Sequence, residues 1–329
     1  MKDSTMKAWV VRNWCKPEEM EFTDIPVPEP GRGQVLVRVE SAALNFLDTL
    51  MIQGRYQVKP PLPFTPGVEL AGTIVDAGAG SRFRPGERVM GNVGHGGGFA
   101  EYALVDEIKV VPMPESMTAV EGSAFPTVYP TSYSALRHSA DMRAGEVVLV
   151  HAGAGGVGLA AIQLAKAWGG KVIATAGGPE KTAICLDHGA DLAIDYLSEP
   201  WVERVKEFTA GRGADIIYDP VGGDVTDLSL KCLAWRGRLL IVGFAGGRIP
   251  AIPANRLLLK SASAIGVLWG ERRNREPELA KATFADLFAM YERGEIRPVV
   301  CREYTLADAP RALTDLGGRN TYGKAVLIP

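Results

Sequence analysis

Two patterns of hydrophobic spacing divide the chain. Up to about residue 117 the apolar positions come in short runs, at 7–12, 34–42, 70–77 and 101–105, with Pro26, Pro28, Pro30 and Gly31 crowding one of the gaps. Short β-prone runs bounded by turn formers predict strands, and breaks this dense predict a β-rich, barrel-like domain. From residue 147 compact apolar runs alternate instead with longer amphipathic stretches, at 147–151, 171–175, 192–195, 215–219, 238–242 and 264–267. Unbroken hydrophobicity belongs to strands covered on both faces. Six such strands with helical stretches between them predict an α/β fold, a doubly wound parallel six-stranded sheet. Residues 134–139, 159–168 and 278–293 read as helices, 94–98 as a turn and 326–328 as a last short strand. The expected division is 1–126, 127–268 and 269–329, the last segment returning to the first domain so that the sheet domain is inserted in a split partner.

The first parallel run leads into His151-Ala152-Gly153-Ala154-Gly155-Gly156-Val157-Gly158 and then a helix. A G-x-G-x-x-G turn between a buried strand and a helix is the Rossmann dinucleotide fingerprint in its required context. Gly153 permits the tight turn, Gly155 lets the backbone approach a pyrophosphate, Gly158 allows close packing, and the helix start offers free amides and positive dipole. Folds that bind NAD carry an Asp or Glu about 20 residues on to hold the ribose 2′-hydroxyl. Here that place reads Ala176-Gly177-Gly178, and Lys181 follows at the start of the next helix, which favours NADPH over NADH.

Composition narrows the partners. The chain has 329 residues, enough for two cores, with 47% hydrophobic and 22% charged residues, an ordinary globular balance. Its 36 basic and 38 acidic residues leave a net charge of -2, so no global field draws it to nucleic acid or to an anionic membrane. Cys15, Cys185, Cys232 and Cys301 form no C-x-x-C pair. Neither a disulfide framework nor a local metal knuckle is expected. With no apolar signal core near the start and no membrane-length apolar run, a cytoplasmic location is expected. Arg272, Arg273 and Arg275 form the one basic cluster, flanked by Glu271 and Glu276, and read as a solvated loop.

The domain order resembles the medium-chain dehydrogenase/reductase superfamily. The stretches Leu44-Asn45-Phe46-Leu47-Asp48-Thr49, Pro66-Gly67-Val68-Glu69-Leu70-Ala71-Gly72, Tyr218-Asp219-Pro220-Val221-Gly222-Gly223 and Gly323-Lys324-Ala325-Val326-Leu327-Ile328-Pro329 resemble its quinone oxidoreductase, zeta-crystallin-like branch. The resemblance implies a GroES-like catalytic domain split between the N- and C-terminal segments. It places Asn45 beside the nicotinamide, Asp48 in support of that corner, and Thr131, Gly156, Val157, Gly177, Val221, Phe244, Leu268 and Trp269 along the cofactor. Lys181, Tyr196 and Arg319 are implied on its phosphate side. The zinc-dependent relatives carry a Cys where Asn45 stands and a His where Val68 stands, so no metal is expected. A homodimer joined at the last parallel strand is also implied.

No nucleophile elbow is present, and His95, His138, His151 and His188 lack a local catalytic partner. Hydride transfer tolerates this, because the nicotinamide carries the chemistry and the protein orients it. A quinone that accepts hydride still needs a proton on oxygen, and Tyr56 is the candidate lining that pocket. The expected activity is NADPH-dependent reduction of a quinone. Reduction of an enone, enal or enoyl thioester is the nearest alternative, and a crystallin-like or RNA-binding role is the one outside enzymology.

Overall fold

The computed structural model describes residues 4–57 and 59–329, which divide into two units. One is built from the chain up to Thr127 together with Pro298–Pro329, the other from Val128–Arg297. In chain order the first unit contributes β1 (Thr5–Val10), β2 (Glu21–Pro26), β3 (Gln34–Ala43), β4 (Glu69–Ala77), β5 (Arg88–Asn92), β6 (Tyr102–Asp106) and β7 (Val110–Pro112). The second supplies β8 (Val147–Val150), β9 (Lys171–Ala176), β10 (Leu192–Asp195), β11 (Ala214–Asp219), β12 (Leu233–Ile241) and β13 (Ser263–Gly266). The chain then returns to the first with β14 (Val300–Thr305) and β15 (Lys324–Ile328).

In the first unit β1 and β2 pair alone, and a larger sheet runs β14-β15-β3-β4-β5-β7 with β6 also on β3. β15 lies antiparallel to β3 with Val326 opposite Ala43, so the returning segment completes the sheet that β3 organises. Alternate residues Val35, Val37 and Val39 of β3 enter one core with Leu70, Ile74, Val89, Phe99, Leu313 and Leu327. Leu36, Ser41 and Ala43 of the same strand are buried as well, so β3 is covered on both faces over much of its length.

In the second unit the order is β10-β9-β8-β11-β12-β13, all parallel. Every residue of β8 is buried, as expected for a strand sandwiched between helices. The order reverses between β8 and β11, and at such a switch point the carboxyl ends of the strands open a crevice.

Three expectations need correction. The return to the first unit begins at Pro298, not at 269, and helices Trp269–Arg275 and Pro277–Glu292 stay with the second. The reason is packing: the longer helix buries Ala280, Phe284, Leu287 and Met290. It is also tied to the unit by the Tyr133 hydroxyl donating to Asp286 at 2.7 Å and by His138 and Thr283 at 3.0 Å. The first boundary falls one residue beyond 126. Residues 134–139 coil as a π-helix, with the Ala140 amide reaching back five residues to the Ala135 carbonyl at 3.0 Å. Strands β2, β5, β7 and β14 are additions to the sequence reading. No helix among the described residues is long and apolar enough to cross a membrane.

Candidate active site

The turn after β8 is built by steric necessity. The Gly153 amide donates to the Thr175 carbonyl at 2.9 Å, and a Cβ on Gly153 would stand 2.8 Å from the Cβ of Ala174. On Gly158 a Cβ would meet the Ala152 carbonyl oxygen at 2.3 Å, so only glycine lets the helix Gly156–Ala167 start this close to the turn. Gly155, the N-cap, differs: its nearest neighbour would be Ala152 O at 3.2 Å. Packing demands glycine there less than at Gly158, and glycine keeps the outer surface of the turn bare. The amides of Gly156, Val157 and Gly158 form the first turn of the helix, where N–H groups lack intrahelical acceptors. Bare backbone, a helix start and glycines at these spacings fit a dinucleotide diphosphate.

Beyond β9, Gly177 and Gly178 lead into the helix Pro179–Asp187, whose first turn carries Lys181. A Cβ on Gly177 would lie 2.8 Å from the Tyr196 hydroxyl, so the structure brings Gly177 and Tyr196 together. Sequence reasoning missed Asp195, at the end of the neighbouring strand β10. Its Oδ1 accepts from the amides of Gly178 at 2.8 Å and Leu197 at 3.0 Å, and Ser198 donates to Oδ2 at 3.0 Å. Those amides hold its carboxyl below the usual range. An acid is therefore present at this turn after all, supplied by the next strand and occupied in bracing Gly178.

His151 is fully engaged beneath the turn. Ser229 spends its hydroxyl proton on the Val225 carbonyl at 2.7 Å, so at 2.9 Å it accepts from His151 Nε2. Thr175 then donates to Nδ1 at 2.9 Å, which fits a neutral imidazole. Burial holds its pKa well below the usual histidine value. It is a packed, hydrogen-bonded histidine and not a proton carrier.

At the carboxyl end of β11, Asp219 Oδ1 accepts from the amides of Val221 at 2.8 Å and Gly222 at 2.9 Å, which bends Val221 into a loop. The loop after β12 meets it, with Gly246 donating to the Val221 carbonyl at 2.8 Å and the Phe244 ring 2.9 Å from where a Cβ on Gly222 would stand. Thr131 lies on the helix Val128–Tyr133, which is pinned to the first turn of the phosphate helix. There Ser132 donates to the Val157 carbonyl at 3.0 Å and accepts from Tyr218 at 2.9 Å. Leu268 is 68% exposed, whereas Trp269 is buried with its ring 6.2 Å from that of Phe284. Arg319 belongs to the first unit, on the exposed turn after the helix Ala309–Gly317.

The first unit holds a buried polar cluster of its own. Asn45 caps the helix Phe46–Met51, its amide donating to Asp48 Oδ2 at 2.8 Å. Its side chain donates from Nδ2 to Glu69 Oε2 at 2.8 Å and accepts at Oδ1 from Lys324 at 2.7 Å. Lys324 places its three ammonium protons on that oxygen, on the Leu44 carbonyl at 2.8 Å and on Glu69 at 2.9 Å. Glu69 also receives the Thr127 amide at 2.7 Å. Neither Glu69 nor Lys324 was singled out in the sequence. Asp48 has no exposed surface, its Oδ1 has no well-formed partner, and burial pushes its pKa up to about 7. Tyr56, half-buried, is raised by burial first and by the charge of Asp48 second.

This donor set does not suit zinc, which needs thiolate, imidazole or carboxylate ligands in a tetrahedron. A primary amide stands at Asn45, an alkyl side chain at Val68, and the Lys324 ammonium already sits 2.9 Å from the Glu69 carboxyl. No group of three His, Cys, Asp or Glu side chains poised for a metal occurs among the described residues.

Fold and site together define a dinucleotide-dependent oxidoreductase with an inserted nucleotide domain. Residues 31–115 match the alcohol dehydrogenase GroES-like domain and residues 156–285 the zinc-binding dehydrogenase domain. A quinone oxidoreductase-like protein 2 homolog of Nematostella vectensis is 39% identical over 90% of this chain and 82% of its own. The quinone oxidoreductase of Homo sapiens is 35% identical over 98% of both chains. The crystal structure of Escherichia coli quinone oxidoreductase complexed with NADPH superimposes with a TM-score of 0.91, at 30% identity, over 98% of this chain and all of that one. The chain belongs to the quinone oxidoreductase branch of the medium-chain dehydrogenase/reductase superfamily.

Proposed function

We propose that this protein reduces quinones with hydride drawn from NADPH. The observation that carries the reading is the bare turn from Gly153 to Gly158, whose geometry suits a diphosphate. NADPH bound there supplies the hydride. Gly153, Gly155, Gly156, Val157 and Gly158 hold the diphosphate, and Gly177, Lys181 and Tyr196 receive the adenosine 2′-phosphate. Thr131, Val221, Phe244, Leu268, Trp269, Asn45 and Arg319 keep the cofactor contacts that the family resemblance gives them. The reduced quinone oxygen needs a proton. Asp48, with its pKa pushed up to about 7, is protonated in about half of the molecules at neutral pH, and Tyr56, raised above an ordinary tyrosine, keeps its own proton.

The functional unit in this reading is a homodimer. β13 ends the parallel sheet with its outer edge open, and Leu258, Leu259 and Ile249 nearby are 78%, 75% and 72% exposed. An open strand edge beside bare apolar side chains is an association site unless covered. A second copy set edge to edge covers both.

The test follows oxidation of NADPH and NADH against quinones, enones and enoyl thioesters, with and without chelator. Expected are quinone turnover with NADPH, weaker turnover with NADH and no effect of chelator. No affinity for either nucleotide, turnover confined to enones or enoyl thioesters, or loss of activity in chelator overturns the assignment.

A further inference from the structure

The basic cluster between Glu271 and Glu276 is sorted by the helix Trp269–Arg275 into two satisfied arginines and one that is not. Arg275 donates to Glu271 at 2.6 Å. Arg272 donates to Glu276 at 3.3 Å and to the hydroxyls of Ser134 and Ser139 at 3.1 and 3.3 Å. Arg273 makes no hydrogen bond or ion pair among the described residues, although it is half-buried. Burial lowers its pKa, and no neighbouring carboxylate offsets the effect. A guanidinium taken partly out of water without a partner is costly, and such groups are ordinarily paired.

One turn earlier on the same helix stands a second donor in the same condition. Trp269 is only 6% exposed, yet its Nε1–H has no acceptor among the described residues. The turn is helical there, since the Arg272 amide donates to the Leu268 carbonyl at 3.1 Å. Positions four apart share a helix face, and long side chains lean back toward the helix start. The Arg273 side chain thus leans toward the turn that carries Trp269. The two carboxylates of this segment, Glu271 and Glu276, are already committed to other arginines. What remains is an indole N–H and a guanidinium, donors only, with no acceptor among the described residues.

We propose that Trp269 Nε1 and the Arg273 guanidinium form a subsite for an oxyanion, a carboxylate or a phosphate, carried by the substrate. A planar guanidinium matches such a group in a bidentate way that an ammonium does not. The enzyme then prefers quinones that bear an acidic arm to the same ring without one. The turnover arm of the test rests on the quinone reductase reading; the binding arm does not.

For turnover, KM is measured for a naphthoquinone and for its carboxyalkyl and phosphoalkyl derivatives, in wild type, Arg273→Gln and Arg273→Lys. Wild type is expected to favour one anionic derivative about tenfold in KM, the scale of one charge-assisted hydrogen bond, and the favoured derivative identifies the oxyanion. Arg273→Gln erases the preference while leaving the KM of the neutral ring and the NADPH Kd unchanged, and Arg273→Lys keeps part of it. Equal KM values for all three rings in wild type, or a preference that survives in Arg273→Gln, overturns the proposal. Weakened NADPH binding in Arg273→Gln does so too, because Arg273 would then be a cofactor contact. For binding, calorimetric titration with naphthoate and inorganic phosphate gives heat with one of them in wild type and none in Arg273→Gln; no heat with either in wild type overturns the subsite, whatever the enzyme reduces. Arg273→Met removes an unpaired charge and is expected to leave the Tm of the unliganded protein equal or higher. A clear fall would mean that Arg273 holds the fold together and is not waiting for a ligand.

Discussion

Lys324 carries its charge into a place where almost no lysine survives alone, and it does so because Glu69, the Leu44 carbonyl and the Asn45 amide oxygen take every proton it has. Asp48, four residues into the same segment as Leu44, has no comparable set of partners, since it is fully buried and its Oδ1 has no well-formed hydrogen bond. Its carboxyl therefore ionises near pH 7 in the folded state against 3.8 ordinarily. The raised value means that folded protein binds this proton more tightly than unfolded chain. The contribution to stability is complete below about pH 4 and is lost as pH rises toward 7, by up to about 4 kcal/mol at 1.36 kcal/mol per unit. Asp48→Asn keeps an acceptor for the Asn45 amide and cannot ionise. Urea denaturation from pH 4.5 to 8 should show wild type losing stability relative to Asp48→Asn across that window, and parallel curves would remove the assignment of a buried acid. Asp48 and Asn45 were legible as a motif, but their electrostatics were not. The lysine that fixes Asn45 is 279 residues away in the chain, a distance no local pattern spans.

At the scale of elements, two glycines of one turn separate the needs of the fold from those of a ligand. Gly158→Ala drives a methyl to within 2.3 Å of the Ala152 carbonyl and is expected to cost about 1–3 kcal/mol of stability. Gly155→Ala meets nothing nearer than 3.2 Å. It should cost less stability than Gly158→Ala yet weaken NADPH more than tenfold, because a methyl then covers the amides that a diphosphate approaches, about 1.4 kcal/mol or more. Thermal unfolding beside fluorescence titration with NADPH checks both, and unaltered affinity in Gly155→Ala would mean that the turn does not hold the nucleotide. The turn and all six parallel strands could be read from the sequence, since continuous apolar runs and glycine spacing are local signals. β14 could not: its sequence Val-Cys-Arg-Glu-Tyr-Thr buries only Tyr304 and owes its strand geometry to pairing with β15. Asp195 escaped notice for a related reason. The end of the second parallel strand carries no acid of its own; the third supplies one to the same turn, and only the pairing of β9 with β10 reveals it.

For the molecule as a whole, the open edge of β13 sets the expected assembly. Ile265, at the middle of that strand, is half-buried in a single chain and becomes a contact when a second copy extends the sheet. Sedimentation should find wild type as a dimer and Ile265→Lys as a monomer of unchanged far-ultraviolet circular dichroism, the lysine acting as edge strands elsewhere use charge to stay unpaired. A monomeric wild type would dismiss the dimer.

The pairing of β15 with β3 gives the molecule an order of assembly. Val128–Arg297 is one uninterrupted stretch and contains all six strands of its sheet, so it has what it needs as soon as it leaves the ribosome. The earlier-made unit lacks the strands β14 and β15 and the counter-charge for Glu69 until the segment from Pro298 onward has been translated. The unit synthesised first is therefore the one completed last, and until β15 arrives the end of β3 at Ala42 and Ala43, beyond the part that β6 covers, has no partner on that side.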